Sequence, residues 1–342
     1  MNMHCSLVQL ITIETIIFSA MLSDCSAAEF KHPPTFQDYQ RAKAIDSKEA
    51  PEMDAQVAFF EAAAFTPQEL GQILERGVKE ELIGAGISVK AGDSKGIQLL
   101  RRAGQNHLPD PLPLAALSYE YLSFIGNKAR ESFTDTEVED TLREFIRADT
   151  NNALPFYLMA WFKVSQGKFG DATAALEQAA SKPYLKTYLS NIRQSVILAC
   201  ESAGFPKFTA RMVACGQTPG VASLSKLAKT VVENPAFTSD SIKPCLQMGQ
   251  ALEKDSTFFI EELVAYSIQT KALKKLDDAR LASEEQRFKR RKEYIKRATA
   301  FLESAPVRKL PESRWLAYLD DMFRFGESKA AEGLAGELGR KF

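Results

Sequence analysis

The chain has 342 residues, enough for one elongated helical array or two compact domains. Its 45% hydrophobic and 25% charged residues give a globular composition and exclude a disordered tail. A formal net charge of −1 leaves no bulk electrostatic case for an acidic substrate, and no nucleic acid is expected as a partner.

Residues 1–28 resemble an export signal. Leu7 to Leu22 is mostly apolar, and Ser26-Ala27-Ala28 places small residues before a cut at Glu29. The signal is weak, because no Lys or Arg precedes the apolar run and Glu14 sits inside it. That glutamate also argues against a permanent span, so the mature chain is expected to be exported, periplasmic or secreted, with no transmembrane segment. Asp24 stands before Cys25 where a lipid-anchored chain would carry a small residue, which argues against a lipid anchor there. Cys5 and Cys25 would leave with the signal. Cys200, Cys215 and Cys245 remain among apolar neighbours, where they read as small buried hydrophobes; a Cys200–Cys215 bridge is the alternative.

Residues 29–106 read as an N-terminal helical region. Phe36-Gln-Asp-Tyr39 opens one helix and Pro51 to Ala64 gives another. Thr66-Pro67-Gln68-Glu69 carries a capping threonine, a proline at the first helical position and a glutamate able to reach back. The helix after it is expected to run to about Ile83, with residues 84–96 as a glycine-bearing connection. That stretch lacks the third glycine of a dinucleotide fingerprint and the Gly-Lys-Ser/Thr of a phosphate loop, so no nucleotide cofactor is expected.

His107-Leu-Pro109-Asp-Pro111-Leu-Pro113 reads as a linker, because prolines at alternate positions disfavour helix. Beyond it, residues 114–342 read as helical hairpins. The organising one is 151–183. Its first helix, Ala153 to Gln166, follows Asn151 and Asn152, whose side chains suit free N–H groups at a helix start. Gly167 permits the positive φ of a turn. In the second helix Ala172, Ala175, Leu176 and Ala179 form a narrow apolar stripe, ended by Pro183. Phe145 and Ala148 stand 31 residues before Leu176 and Ala179, a repeat-like offset. Helices are expected over Tyr184 to Ala203, Phe208 to Cys215, Val221 to Val232, Ser241 to Leu252 and Thr257 to Leu276. A long charged helix is expected at 277–304, with Leu281, Phe288, Ile295 and Leu302 along one stripe. The helices Glu312 to Phe325 and Glu327 to Leu338 would form a C-terminal cap.

The order Gly167, Phe169, Ala172, Leu176, Ala179 and Pro183 resembles the tetratricopeptide repeat, clearly only over residues 151–183. Lys163 departs from it, standing where the family carries a tyrosine. The resemblance implies an all-α fold, an irregular α-solenoid of antiparallel hairpins whose first helices line a concave groove, and a non-enzymatic role binding a protein or peptide. It places the face shared by Tyr157 and Trp161 in that groove. The alternative for this pair is that both rings fill the core.

No catalytic or metal-ligating set emerges. A chain starting at Glu29 holds only His32 and His107, and no HExxH, GxSxG or CxxC occurs. The strongest basic cluster runs from Arg287 through Arg290, Arg291 and Lys292 to Arg297. It gives a second functional reading, a structural envelope protein that grips an anionic polymer or membrane surface. Its plain reading is the solvated face of a helix, offset by Glu284, Glu285 and Glu293.

Overall fold

The structure is a computed structural model that describes residues 30–44, 51–89, 94–123 and 133–341. The expected leader at 1–28, with Cys5 and Cys25, lies outside them. Among the described residues the chain is all-helical, without strands; Asn152 and Tyr184 form one isolated bridge.

The N-terminal region forms α1 (Phe36–Ala44), α2 (Pro51–Ala62), α3 (Pro67–Arg76), α4 (Lys79–Ser88) and α5 (Ser94–Asn106). The expected capping box opens α3. Thr66 Oγ1 accepts from the Glu69 N–H (3.3 Å), and the Glu69 carboxylate accepts from the Thr66 N–H (2.7 Å). The helix does not reach Ile83. Gly77 adopts a left-handed conformation (φ 66°) and ends it, and α4 starts two residues later. Residues 84–88 are therefore helix, not connection. Their glycines serve close packing. A Cβ on Gly84 would stand 2.0 Å from the Ser195 carbonyl oxygen, and one on Gly86 would stand 2.7 Å from Leu100 Cγ. Glycine here lets α4 press against a distant backbone on one side and α5 on the other.

The proline stretch is also corrected. The sixth helix, α6 (Pro111–Ser123), begins inside it. Pro111 and Pro113 lie in the first turn, where N–H groups lack helical partners anyway, and Asp110 Oδ1 accepts from the Leu112 N–H (2.9 Å). Asp110 is in turn tied to Lys79 (2.7 Å), so residues 107–110 are fastened to α4.

Next come α7 (Asp135–Ala148), α8 (Leu154–Ser165) and α9 (Phe169–Ala180). As expected, Gly167 has positive φ (72°), and Ala172, Ala175, Leu176 and Ala179 are buried. Asn152 Oδ1 accepts from the Leu154 N–H at the start of α8 (3.0 Å), and also from the Lys186 N–H (3.0 Å). That second bond explains why residues 184–188 are not helical; Tyr188, just before the next helix, is left-handed (φ 62°). The segment forms a strap in which Tyr184 and Tyr188 both donate to Asp149, and the Thr187 N–H donates to Asp255 (2.9 Å).

The remaining helices are α10 (Leu189–Ser202), α11 (Lys207–Cys215), α12 (Val221–Glu233), α13 (Ser239–Asp255), α14 (Phe259–Leu276), α15 (Leu281–Leu302), the short α16 (Ala305–Arg308), α17 (Glu312–Phe325) and α18 (Glu327–Glu337). Along α15 the expected stripe is half right. Phe288 and Ile295 are buried with Ala298 and Phe301, whereas Leu281 and Leu302 are only partly covered.

Sequence neighbours pack as hairpins at α8–α9, α13–α14 and α17–α18. The contact between α4 and α10 is different, because five helices intervene. One apolar core runs from Ala63 to Leu273, straight across the proline stretch. A second core gathers Phe36, Phe208, Phe258, Ile295, Trp315 and Leu334, so the start and the end of the described chain meet. Thr209 Oγ1 donates to the Pro34 carbonyl at this junction (2.5 Å).

Candidate functional site

The sequence directs attention first to α8. Its residues are apolar around the whole circumference, so α6, α7, α9 and α12 enclose it. Tyr157 is 2% exposed, and its hydroxyl donates to the Pro244 carbonyl on α13 (2.9 Å). Burial drives its phenol far above the ordinary value. Tyr157 is thus a core residue and not a groove anchor. Trp161 packs partly buried against the same core. The structure does not bring the pair together on an open surface.

The basic helix α15 divides into two faces. Arg287, itself exposed, pairs with Glu253 (2.5 Å) and Glu284 (2.8 Å). Arg291 grips both oxygens of Glu262 (2.9 and 3.0 Å), reaches Ser328 and lies over the Tyr294 ring. Arg291 is therefore committed inside the fold, which corrects its expected place in a partner site. A rotation of about 100° per residue explains the split: 287, 291, 294 and 298 share one side. Arg290 points to solvent with Lys289, Lys296 and Arg297, while Lys292 is half-buried at the margin.

A third site was not legible in the sequence. A cavity of ≈ 220 Å³ opens beside the second core. Its walls include Tyr39 of α1, Cys215 of α11, Leu302 of α15, Trp315 and Tyr318 of α17, and Glu327 at the start of α18. The Trp315 and Tyr318 rings meet edge to face, 5.8 Å apart and inclined at 86°. One Glu327 oxygen accepts from the Phe259 N–H (2.7 Å). Burial pushes this carboxyl up to about 7; the Phe259 bond and Arg193 pull the other way, and Glu261 and Glu262 add to the rise. Burial also raises the Cys215 thiol to about 12 and lifts the Tyr318 phenol well above its usual value. Both therefore hold their protons at neutral pH, and Glu327 is the group able to change charge there.

Behind the cavity Arg193 and Glu261 form a buried ion pair (2.5 Å), 0% and 2% exposed at their side chains. Arg193 also donates to the Gln217 carbonyl (2.9 Å) and lies over the Phe258 ring (3.8 Å). Glu261 accepts from the Thr257 N–H (2.8 Å). The pair joins α10 to the start of α14 and makes a clasp, not a reaction centre. Cys200 and Cys245 are buried, and all three described cysteines are free. Among the described residues no three His, Cys, Asp or Glu side chains gather as metal ligands, and no helix is long and apolar enough to cross a membrane.

No family model, curated protein or solved structure matches the chain.

The cavity escaped the sequence because its walls come from segments up to 288 positions apart, Tyr39 to Glu327. The one local signal was the apolar face Trp315, Tyr318, Leu319 and Met322 on α17, which reads equally well as ordinary core.

Proposed function

We propose that the protein is an exported, non-enzymatic helical scaffold that binds another protein or a peptide. The hairpin resemblance of residues 151–183 supports this reading. On it, the helices form an irregular α-solenoid of tetratricopeptide type that folds back on itself. The observation that carries the binding role is a set of three exposed apolar side chains near the α3–α4 junction and the end of α10. Leu74, Val78 and Leu198 are 42%, 43% and 39% exposed. Arg76 donates to Ser202 (3.1 Å) and to Glu81 (2.7 Å), joining α3 and α4 to the end of α10, and each of the three side chains lies within one turn of that link. Exposed apolar side chains carried near one junction mark a contact surface more often than singly scattered ones do.

The test is recovery of partners by a C-terminally tagged copy from its fractionated native host, at low and high salt, beside a Leu74→Asp, Leu198→Asp variant. The reading expects one dominant protein, kept at high salt and lost in a variant with wild-type melting. Equal recovery by the variant contradicts it. The same preparation tests export, since a processed chain would begin at Glu29.

A second reading rests on the outward face of α15. Lys289, Arg290, Lys296 and Arg297 are exposed there, with Lys292 at the margin, against Glu285 and Glu293. A structural envelope role on an anionic polymer or membrane surface would show as polyanionic material released by moderate salt.

A further inference from the structure

The cavity beside the second core has features that packing alone does not require. Three aromatic side chains, Tyr39, Trp315 and Tyr318, stand in its wall with the carboxylates of Glu303 and Glu327. Arg308 lines it too, but the two carboxylates outnumber that single cation. Aromatic faces attract cations through their quadrupoles, and a carboxylate in a poorly hydrated setting strengthens the preference. Only one oxygen of Glu327 is engaged, by the Phe259 N–H; among the described residues the other has no hydrogen bond. Trp315 is 9% exposed, and its indole N–H is buried with no partner. Buried donors are ordinarily satisfied, so an oxygen on a ligand would complete this one.

We propose that this cavity is a binding site for a small organic ammonium ion. Its apolar or aromatic body lies against Tyr39, Trp315 and Tyr318, and its ammonium donates to the unengaged oxygen of Glu327. A hydroxyl or ether oxygen on that body accepts from the Trp315 N–H. Size fits the class. A cavity of about 150 Å³ holds benzene, and ≈ 220 Å³ leaves room for a short aminoalkyl chain on one ring. The site is distinct from the Leu74, Val78 and Leu198 surface and does not depend on it.

Three compounds of one shape separate the contributions: tyramine, the neutral 4-ethylphenol and the anionic 3-(4-hydroxyphenyl)propionate. Each is titrated into the full chain at pH 8, with Trp315 fluorescence read in a Trp161→Phe background. Tyramine is expected to bind at least about tenfold more tightly than 4-ethylphenol, the value of one charge-assisted hydrogen bond, and the propionate weakest. In Glu327→Gln the advantage of tyramine should fall to about one, while Glu303→Gln keeps most of it. Equal binding of the three, preference for the anion, no binding at millimolar concentration, or an advantage unchanged in Glu327→Gln would each overturn the proposal. The comparison of the three compounds in the Trp161→Phe chain, with Glu303 and Glu327 intact, decides it even where a glutamate variant fails to fold.

Discussion

Gly84 sits where α4 crosses the backbone of α10, and a Cβ there would meet the Ser195 carbonyl oxygen at 2.0 Å. Elsewhere, Gly→Ala inside a helix is worth up to about 1 kcal/mol of stabilisation, from propensity alone. Here the sign reverses. Gly84→Ala should cost about 2 kcal/mol or more in urea unfolding, because two backbones must part. Gly71, exposed in the middle of α3 with nothing within 4 Å of its Cβ position, is the control. Gly71→Ala should stabilise by about 0.5–1 kcal/mol. Equal effects would mean that α4 and α10 do not touch as described. Glu327 gives a second prediction. Its folded carboxyl titrates near about 7 against an ordinary 4.5, so the folded state holds the proton more tightly. The group therefore contributes stability in full below about 4.5 and loses it as pH rises through about 7. Glu327→Gln cannot ionise and keeps an acceptor for the Phe259 N–H. The variant should gain about 2 kcal/mol on the wild type between pH 5 and pH 8, read from urea midpoints; a constant difference would place the ionisation elsewhere.

Among the elements, legibility followed the kind of signal. Periodic apolar spacing with a cap or a glycine turn located α8, α9, α17 and α18 to within a residue or two at most ends, and the start but not the end of α3. Glycine and proline misled where each has two physical uses. Gly84-Ala85-Gly86 could break a helix or let one approach another, and only the presence of α10 decides. Pro111 and Pro113 could forbid a helix or begin one, and Asp110 decides by capping. The strap at 184–188 was hidden for a related reason: its non-helical form is held by Asn152, Asp149 and Asp255, none of which is local to it. The basic cluster was visible, but its division into faces was not. That division is testable on α15. Arg291→Ala, which abandons Glu262 and Ser328, should cost about 1–2 kcal/mol, whereas Arg290→Ala should stay within about 0.5 kcal/mol. Chemical denaturation of the two variants side by side checks it, and a reversed order would put Arg291, not Arg290, on the free surface.

At the scale of the whole molecule, the long-range contacts matter most. The N-terminal region is no separate unit, since Ala63 and Leu273 belong to one core. The second core joins Phe36 to Trp315 and Leu334, and the Arg193–Glu261 clasp lies between the two. Phe323 touches both cores. A stack in which each hairpin meets only its neighbours would unfold from its ends inward, repeat by repeat. A body closed in this way should unfold as one. The sequence supplies the probes, for its two tryptophans report on different cores: Trp161 packs on the first and Trp315 belongs to the second. The decisive measurement is urea unfolding of Trp161→Phe and Trp315→Phe, each followed by its remaining tryptophan and by far-ultraviolet circular dichroism. The closed body predicts that, within each variant, fluorescence and circular dichroism share one midpoint and one slope. A Trp315 signal lost at lower urea than the bulk of the helix would contradict it and leave the C-terminal helices as a loosely attached end.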